Sequence, residues 1–116
     1  MQNTPKSPTR ILIVDDHPVV VSGCRSLFAS DKSVKIDEAA DAKSGYRAFV
    51  QKRPDVTVID IKLPDVSGFE LMRRIRKDDP KAKIIMCRGN LLASVGRIGK
   101  TNRGDRCHYY FGVKAH

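Results

Sequence analysis

The chain has 116 residues and a formal net charge of +9, a length that holds one domain with one core and leaves no room for a second folded module. Its 41% hydrophobic and 30% charged residues are those of a globular protein, its apolar runs are too short to cross a bilayer, and the polar start "MQNTPKSPTR" is no signal peptide, so a cytoplasmic, non-membrane protein is expected. Cys24, Cys87 and Cys107 form an odd set without ligand-like pairing, which suggests neither a disulfide framework nor a zinc site.

Residues 1–9 read as a disordered extension and residues 10–87 as the core. The first element is "RILIVDD", a strand whose apolar run Ile11 to Val14 stops on two acids, Asp15 and Asp16. Pro18 then suits the first turn of a helix, where its missing N–H is not needed. Val20, Cys24, Leu27 and Phe28 follow at helical spacing as its inner face. "VKIDEA" is a second, more polar strand from about Val34, of the kind found at a sheet edge. Asp41 is placed to cap a helix carrying Gly45, Ala48, Phe49 and Val50 inward, and "RPD" at Arg53 to Asp55 ends it.

A third strand, "VTVID", is apolar on both faces and yet ends on a carboxylate, Asp60. After the turn at Pro64 and Asp65, Ser67 and Glu70 stand three apart as a capping box, ahead of an apolar face of Leu71, Met72 and Ile75. Arg73, Arg74, Arg76 and Lys77 lie on the other faces. Without interleaved aromatic residues, that basic surface reads as solvated rather than as a nucleic-acid site. "KIIM" is the fourth strand. Alternating strands and helices with short connections predict a parallel sheet with right-handed crossovers and helices on both faces, an α/β doubly wound fold.

Any one of the three acids alone reads as a turn residue or helix cap. Together they say more. In an open parallel sheet, ligands sit beyond the carboxyl ends of the strands where strand order reverses. If the first and third strands are neighbours there, Asp15, Asp16 and Asp60 converge, and three carboxylates within a few ångströms repel one another unless a cation lies between them. Oxygen-only donors of this kind suit Mg2+ and phosphoryl chemistry.

"ILIVDDHP", "VTVIDIKLPDVSGFELMRRIR" and "KIIM" resemble the receiver domain of bacterial two-component response regulators, and the "DDHP" form is most similar to the NarL/FixJ group. The resemblance covers Arg10 to Met86 and includes the Asp60, Pro64, Gly68 spacing. It implies a CheY-like, flavodoxin-like (βα)5 fold. It further implies that Asp60 accepts a phosphoryl group from a sensor histidine kinase. Asp15, Asp16 and Asp60 would then hold Mg2+ together with the backbone carbonyl of Lys62. Catalysis would be limited to the domain's own phosphorylation and dephosphorylation. A receiver homodimer is a further partner it allows. The helix-turn-helix domain usual in NarL/FixJ regulators has no room in 116 residues, so no promoter binding by that route is expected.

After Met86 the resemblance stops. Residues 88–116 carry 6 Lys and Arg against 1 Asp, a net of +5, whereas residues 1–87 carry a net of +4. Arg88 stands where a receiver should have a Ser or Thr, and an arginine cannot act as a small buried switch. The remaining residues are too few for the two helices, strand and connections still owed, so the fold is expected to be incomplete after the fourth strand. "HYYFGVK" is the candidate fifth strand, with Lys114 as the candidate for the lysine that ends it; the Arg, Lys and Gly of "GKTNRGDR" before it read equally well as a disordered tail. An interruption or frame shift in the coding sequence after about Met86 would produce this abrupt change. Two weaker readings stand beside phosphoacceptance: a degenerate receiver that only docks on a kinase, and a nucleic-acid-binding protein using the basic tail.

Overall fold

The computed structural model describes residues 7–87 and the backbone of residues 107–110. Its elements are β1 (Thr9–Val14), α1 (Pro18–Leu27), β2 (Val34–Ala39), α2 (Ala42–Lys52), β3 (Val56–Asp60), α3 (Gly68–Asp78), β4 (Ile84–Cys87) and β5 (Cys107–Tyr110). The sheet order is β2-β1-β3-β4-β5. β1 pairs in parallel with both β2 and β3, and β3 with β4. The polar β2 takes the edge, as its composition predicts. β1 begins at Thr9 rather than Arg10, because the Thr9 N–H donates to the Ser33 carbonyl at 2.7 Å and draws that residue into the ladder.

Successive strand residues project to opposite faces, so buried strands of this kind build two cores. Leu12, Val14, Ile59, Ile84 and Met86 meet Ala42 and Phe49 of α2 and Leu71 and Ile75 of α3 on one face. Ile13, Val58 and Cys87 meet Val21 and Cys24 of α1 on the other. Each large aliphatic side chain buried this way contributes about 1.5–3 kcal/mol, which is why the strands hold their register against the helices.

Helix faces follow the expected period with shifts of phase. In α1 the buried residues are Val21 and Cys24, while Val20 and Phe28 are half-buried and Leu27 is exposed. Val19, Val20 and Val21 are all apolar, so periodicity alone does not decide which of them turns inward. In α2, Gly45 and Phe49 are buried, but Val50 is exposed, one helical step past the inner face. Asp41 caps this helix as expected, and the reciprocal capping box lies here: the Ser44 N–H donates to Asp41 Oδ1 at 2.8 Å and the Asp41 N–H to Ser44 Oγ at 3.4 Å. At α3 the expected box is only half present. Ser67 Oγ accepts from the Phe69 N–H at 3.1 Å, while Glu70 turns to Arg73 at 2.7 Å. Arg74 lies 4.5 Å from the Tyr46 ring centroid, and the Tyr46 hydroxyl donates to Asp78, so part of the basic side of α3 is spent on tying α3 to α2.

β5 departs from a (βα)5 pattern, in which every strand is parallel. It runs antiparallel to β4, with Cys107 opposite Cys87 and Tyr110 opposite Ile84. An antiparallel return needs no handed crossover, unlike a parallel strand. Its carboxyl end therefore points to the edge of the sheet opposite Asp60. Lys114 and Arg88 lie outside the described residues.

Candidate functional site

β1 and β3 are neighbours, and the chain goes from β1 to β2 on one side and to β3 on the other. That makes the gap beyond their carboxyl ends the topological switch point. Val14 pairs with Ile59, so the next residues, Asp15 and Asp60, leave the sheet side by side. Asp60 is in turn the Cα partner of Cys87 on β4. The convergence that the sequence made conditional on this pairing is met.

Asp15 and Asp60 are 4% and 2% exposed. The Asp16 side chain is 37% exposed and that of His17 56%. One donor atom from each of Asp15, Asp16, His17 and Asp60 falls within 4.8 Å of every other. His17 Nδ1 lies 2.7 Å from Asp15 Oδ1, 3.3 Å from Asp16 Oδ1 and 3.7 Å from Asp60 Oδ2. Asp15 Oδ1 also accepts the His17 backbone N–H at 2.9 Å, and Asp60 Oδ1 accepts the Lys62 N–H at 3.2 Å. The hydrogen bond to Asp15 and then the charge of Asp15 raise the His17 pKa above its ordinary value; desolvation opposes them in part, and Asp16 and Asp60 add smaller upward contributions. This is the signature of concentrated negative potential. His17 is the site residue that the sequence reading passed over, although it stands in plain view inside "DDHP".

The loop after Asp60 is locked at both ends. Lys62 bridges Ser67, and the Gly68 N–H donates to the Ile61 carbonyl at 2.7 Å. Asp65 reaches across to α2, where its carboxylate accepts the N–H groups of Ala42 at 2.9 Å and Lys43 at 3.0 Å. Two acids thus serve one helix start, Asp41 from its own chain position and Asp65 from the acid loop. Burial pushes the Asp65 carboxyl up, but the backbone donors of Ala42, Lys43 and Val66 together outweigh it and leave the pKa below the ordinary carboxylate value. A depressed carboxyl contributes stability above its unfolded pKa and loses it as pH falls through the folded one. Asp65→Ala is therefore expected to cost about 0.5–2 kcal/mol at neutral pH, as loss of a helix cap does. Urea denaturation at neutral pH and again below the folded carboxyl pKa should show the gap between wild type and variant closing on acidification. A gap independent of pH would contradict this.

A cavity of 730 Å³ runs along α3 beside Arg73, Arg74, Arg76 and Lys77. None of the clustered acids lines it. Among the described residues no helix is long and apolar enough to cross a membrane.

The response regulator receiver domain family matches residues 11–93. The chain belongs to that family. The match runs a few residues past Met86, where the quoted motifs end. The methanol utilization control regulatory protein MoxX of Paracoccus denitrificans is 36% identical over 88 residues, covering 74% of this chain and 40% of MoxX. The chain thus spans less than half the length of that relative. A LuxR-family two-component response regulator from Aurantimonas is similar in structure, with a TM-score of 0.63 and 41% identity over 69% of this chain and 58% of that one. The response regulator TrrA of Thermotoga maritima, in complex with Mg2+ and BeF, gives a TM-score of 0.61 and 32% identity, covering 66% of this chain and 65% of TrrA. TrrA in complex with the histidine kinase ThkA gives 0.64 and 31%, covering 70% and 69%. The receiver thus has a CheY-like α/β fold with four parallel strands, and receiver domains are regulatory modules.

Proposed function

We propose that this receiver accepts a phosphoryl group on Asp60 from a sensor histidine kinase in the cytoplasm, and that Asp15, Asp16, Asp60 and the Lys62 carbonyl hold Mg2+ for the transfer. The observation that carries the reading is the convergence of three carboxylates at the switch point, two of them buried. Hard oxygen donors, crowded until their charges repel, fit a small divalent cation. The likeness to TrrA, which is seen with Mg2+ and with a histidine kinase, supports both partners. The "DDHP" sequence and the 41% identity to a LuxR-family regulator support a NarL/FixJ-type receiver.

In the proposed transfer, a carboxylate oxygen of Asp60 attacks phosphorus in line with the P–N bond of a phosphohistidine. The P–O bond forms as the P–N bond breaks, and the imidazole leaves with a proton from solvent. Burial at the strand end and the Lys62 N–H on Oδ1 fix the orientation of the attacking carboxylate, which supplies much of the rate in phosphoryl transfer. When bound by these acids, a divalent ion would supply charge to offset that on the phosphoryl oxygens. Lys114, proposed for the same purpose from the other side, lies outside the described residues, and the direction of β5 gives that assignment no support.

The test is intact-mass spectrometry of the whole chain after incubation with a small phosphodonor, with Mg2+ or with a chelator, beside Asp60→Asn. The expected result is a gain of one phosphoryl group that needs Mg2+ and is absent in the variant. No gain in a folded sample, or an equal gain in Asp60→Asn, would overturn the proposal.

A further inference from the structure

His17 occupies the N-cap position of α1, with extended φ and ψ of −104° and 103°, yet its side chain makes no capping hydrogen bond. N-cap side chains ordinarily accept from the first turn. Here the backbone does the capping work: the His17 carbonyl accepts from Val20 at 3.0 Å and Val21 at 3.2 Å, and Pro18 follows at the first helical position. The imidazole is turned the other way, onto the acids. Its Nδ1 stands 2.7, 3.3 and 3.7 Å from oxygens of Asp15, Asp16 and Asp60. Around an ion with bonds of about 2.1 Å, adjacent ligand atoms are about 3.0 Å apart in an octahedron and about 3.4 Å in a tetrahedron. The distances to Asp16 and Asp60 lie at and just beyond that spacing, and the 2.7 Å contact with Asp15 is a hydrogen bond that an ion between the two groups would replace. The half-exposed ring also lies on the solvent side of two buried acids, where an incoming ion would meet it.

We propose that His17 Nδ1 is a nitrogen ligand of the acid site and tilts its selectivity from Mg2+ toward borderline divalent transition ions such as Co2+, Ni2+ and Zn2+. Imidazole suits these ions, whereas Mg2+ keeps to oxygen. Ligation uses the Nδ1 lone pair, so the proton that Nδ1 shares with Asp15 Oδ1 leaves to solvent as the ion enters, and the ring binds as the tautomer with its proton on Nε2. This inference rests on the reading of Asp15, Asp16 and Asp60 as a divalent-ion site.

The experiment is calorimetric titration of the whole chain with Mg2+ and, separately, Co2+, in wild type, His17→Ala, His17→Gln and Asp15→Asn, with the visible absorption of bound Co2+ recorded in each. Both His17 variants keep the backbone capping of α1. Losing a ligand, like losing a group that orients one, costs on the order of 10–100-fold in affinity. The expected result is a loss of at least about tenfold for Co2+ with a changed Co2+ spectrum in both His17 variants, and a change of less than about threefold for Mg2+. Equal gains for both ions would mean that His17 is only a competing cation, and equal losses that it only orients Asp15; either overturns the proposal, as does an unchanged Co2+ spectrum. A Co2+ spectrum that survives Asp15→Asn would place the ion elsewhere and overturn it too. Absence of Mg2+ binding in wild type would instead sink the divalent-ion reading itself, a separate outcome from any change at His17.

Discussion

Gly68→Ala is expected to destabilise the receiver more than Gly45→Ala does and to slow the proposed phosphorylation of Asp60. A Cβ built at Gly68 would stand 2.2 Å from the Asp60 carbonyl oxygen, 3.0 Å from the Asp60 carbonyl carbon and 2.9 Å from Ile59 Cγ2. The first two are main-chain atoms of the strand end that carries the proposed phosphoacceptor, and they cannot swing aside as a side chain can. Gly45 is the natural comparison. Its Cβ would meet only side-chain methyl groups, Val14 Cγ1 at 2.9 Å and Leu71 Cδ2 at 3.2 Å. Overpacking of either kind costs about 1–3 kcal/mol. Displacing a reacting group by an ångström can cost on the order of 100-fold in rate. Urea denaturation of the two alanine variants, read beside the rate of phosphoryl gain by mass, separates the effects. The larger destabilisation is expected for Gly68→Ala, with a rate loss of at least about tenfold confined to that variant. Equal rate losses in the two variants would show that the contact with Asp60 has no special part in phosphorylation.

That contact also explains part of what the sequence does and does not disclose. The Asp60, Pro64, Gly68 spacing is visible in "DIKLPDVSG", but nothing in the string says that Gly68 is required because a strand's last carbonyl presses on it. The acids themselves are legible because each follows a run of apolar residues, whereas the adjacency of the first and third strands is a condition that only the strand pairing meets. Phase is less legible where a helix start is uniformly apolar, as at Val19 to Val21. Asp65 reads locally as a turn residue, and its partners on α2 are more than twenty positions away. Partnerships of that range leave no periodic trace. The antiparallel course of β5 is illegible for a similar reason, since "CHYY" has the same strand propensity in either direction.

Asp15→Asn is expected to act in opposite directions on the metal-free and metal-bound receiver. Asp15 and Asp60 are buried, and with Asp16 they crowd three carboxylates into a space that His17 alone offsets among the described cluster members. Two like charges 4 Å apart at an effective dielectric near 20 repel by about 4 kcal/mol, and the neighbouring imidazole cancels part of that. Asparagine has nearly the same shape, and its oxygen can still accept the His17 backbone N–H that Asp15 Oδ1 accepts at 2.9 Å. Removing the charge while keeping that bond should stabilise the metal-free protein by on the order of 1–3 kcal/mol. Wild type should then gain stability from saturating Mg2+, by about 2.7 kcal/mol when the free ion is at 100 times its Kd, and the variant should gain almost none. Thermal unfolding of both proteins with a chelator and with Mg2+ is the measurement. Chelated Asp15→Asn should melt above chelated wild type, with the order equalised or reversed in Mg2+. A variant that melts lower in both conditions would mean that the Asp15 carboxylate is a structural acceptor whose hydrogen bonds outweigh the repulsion. Such a site would not be under electrostatic strain, and the charge argument for a cation there would lose its physical basis.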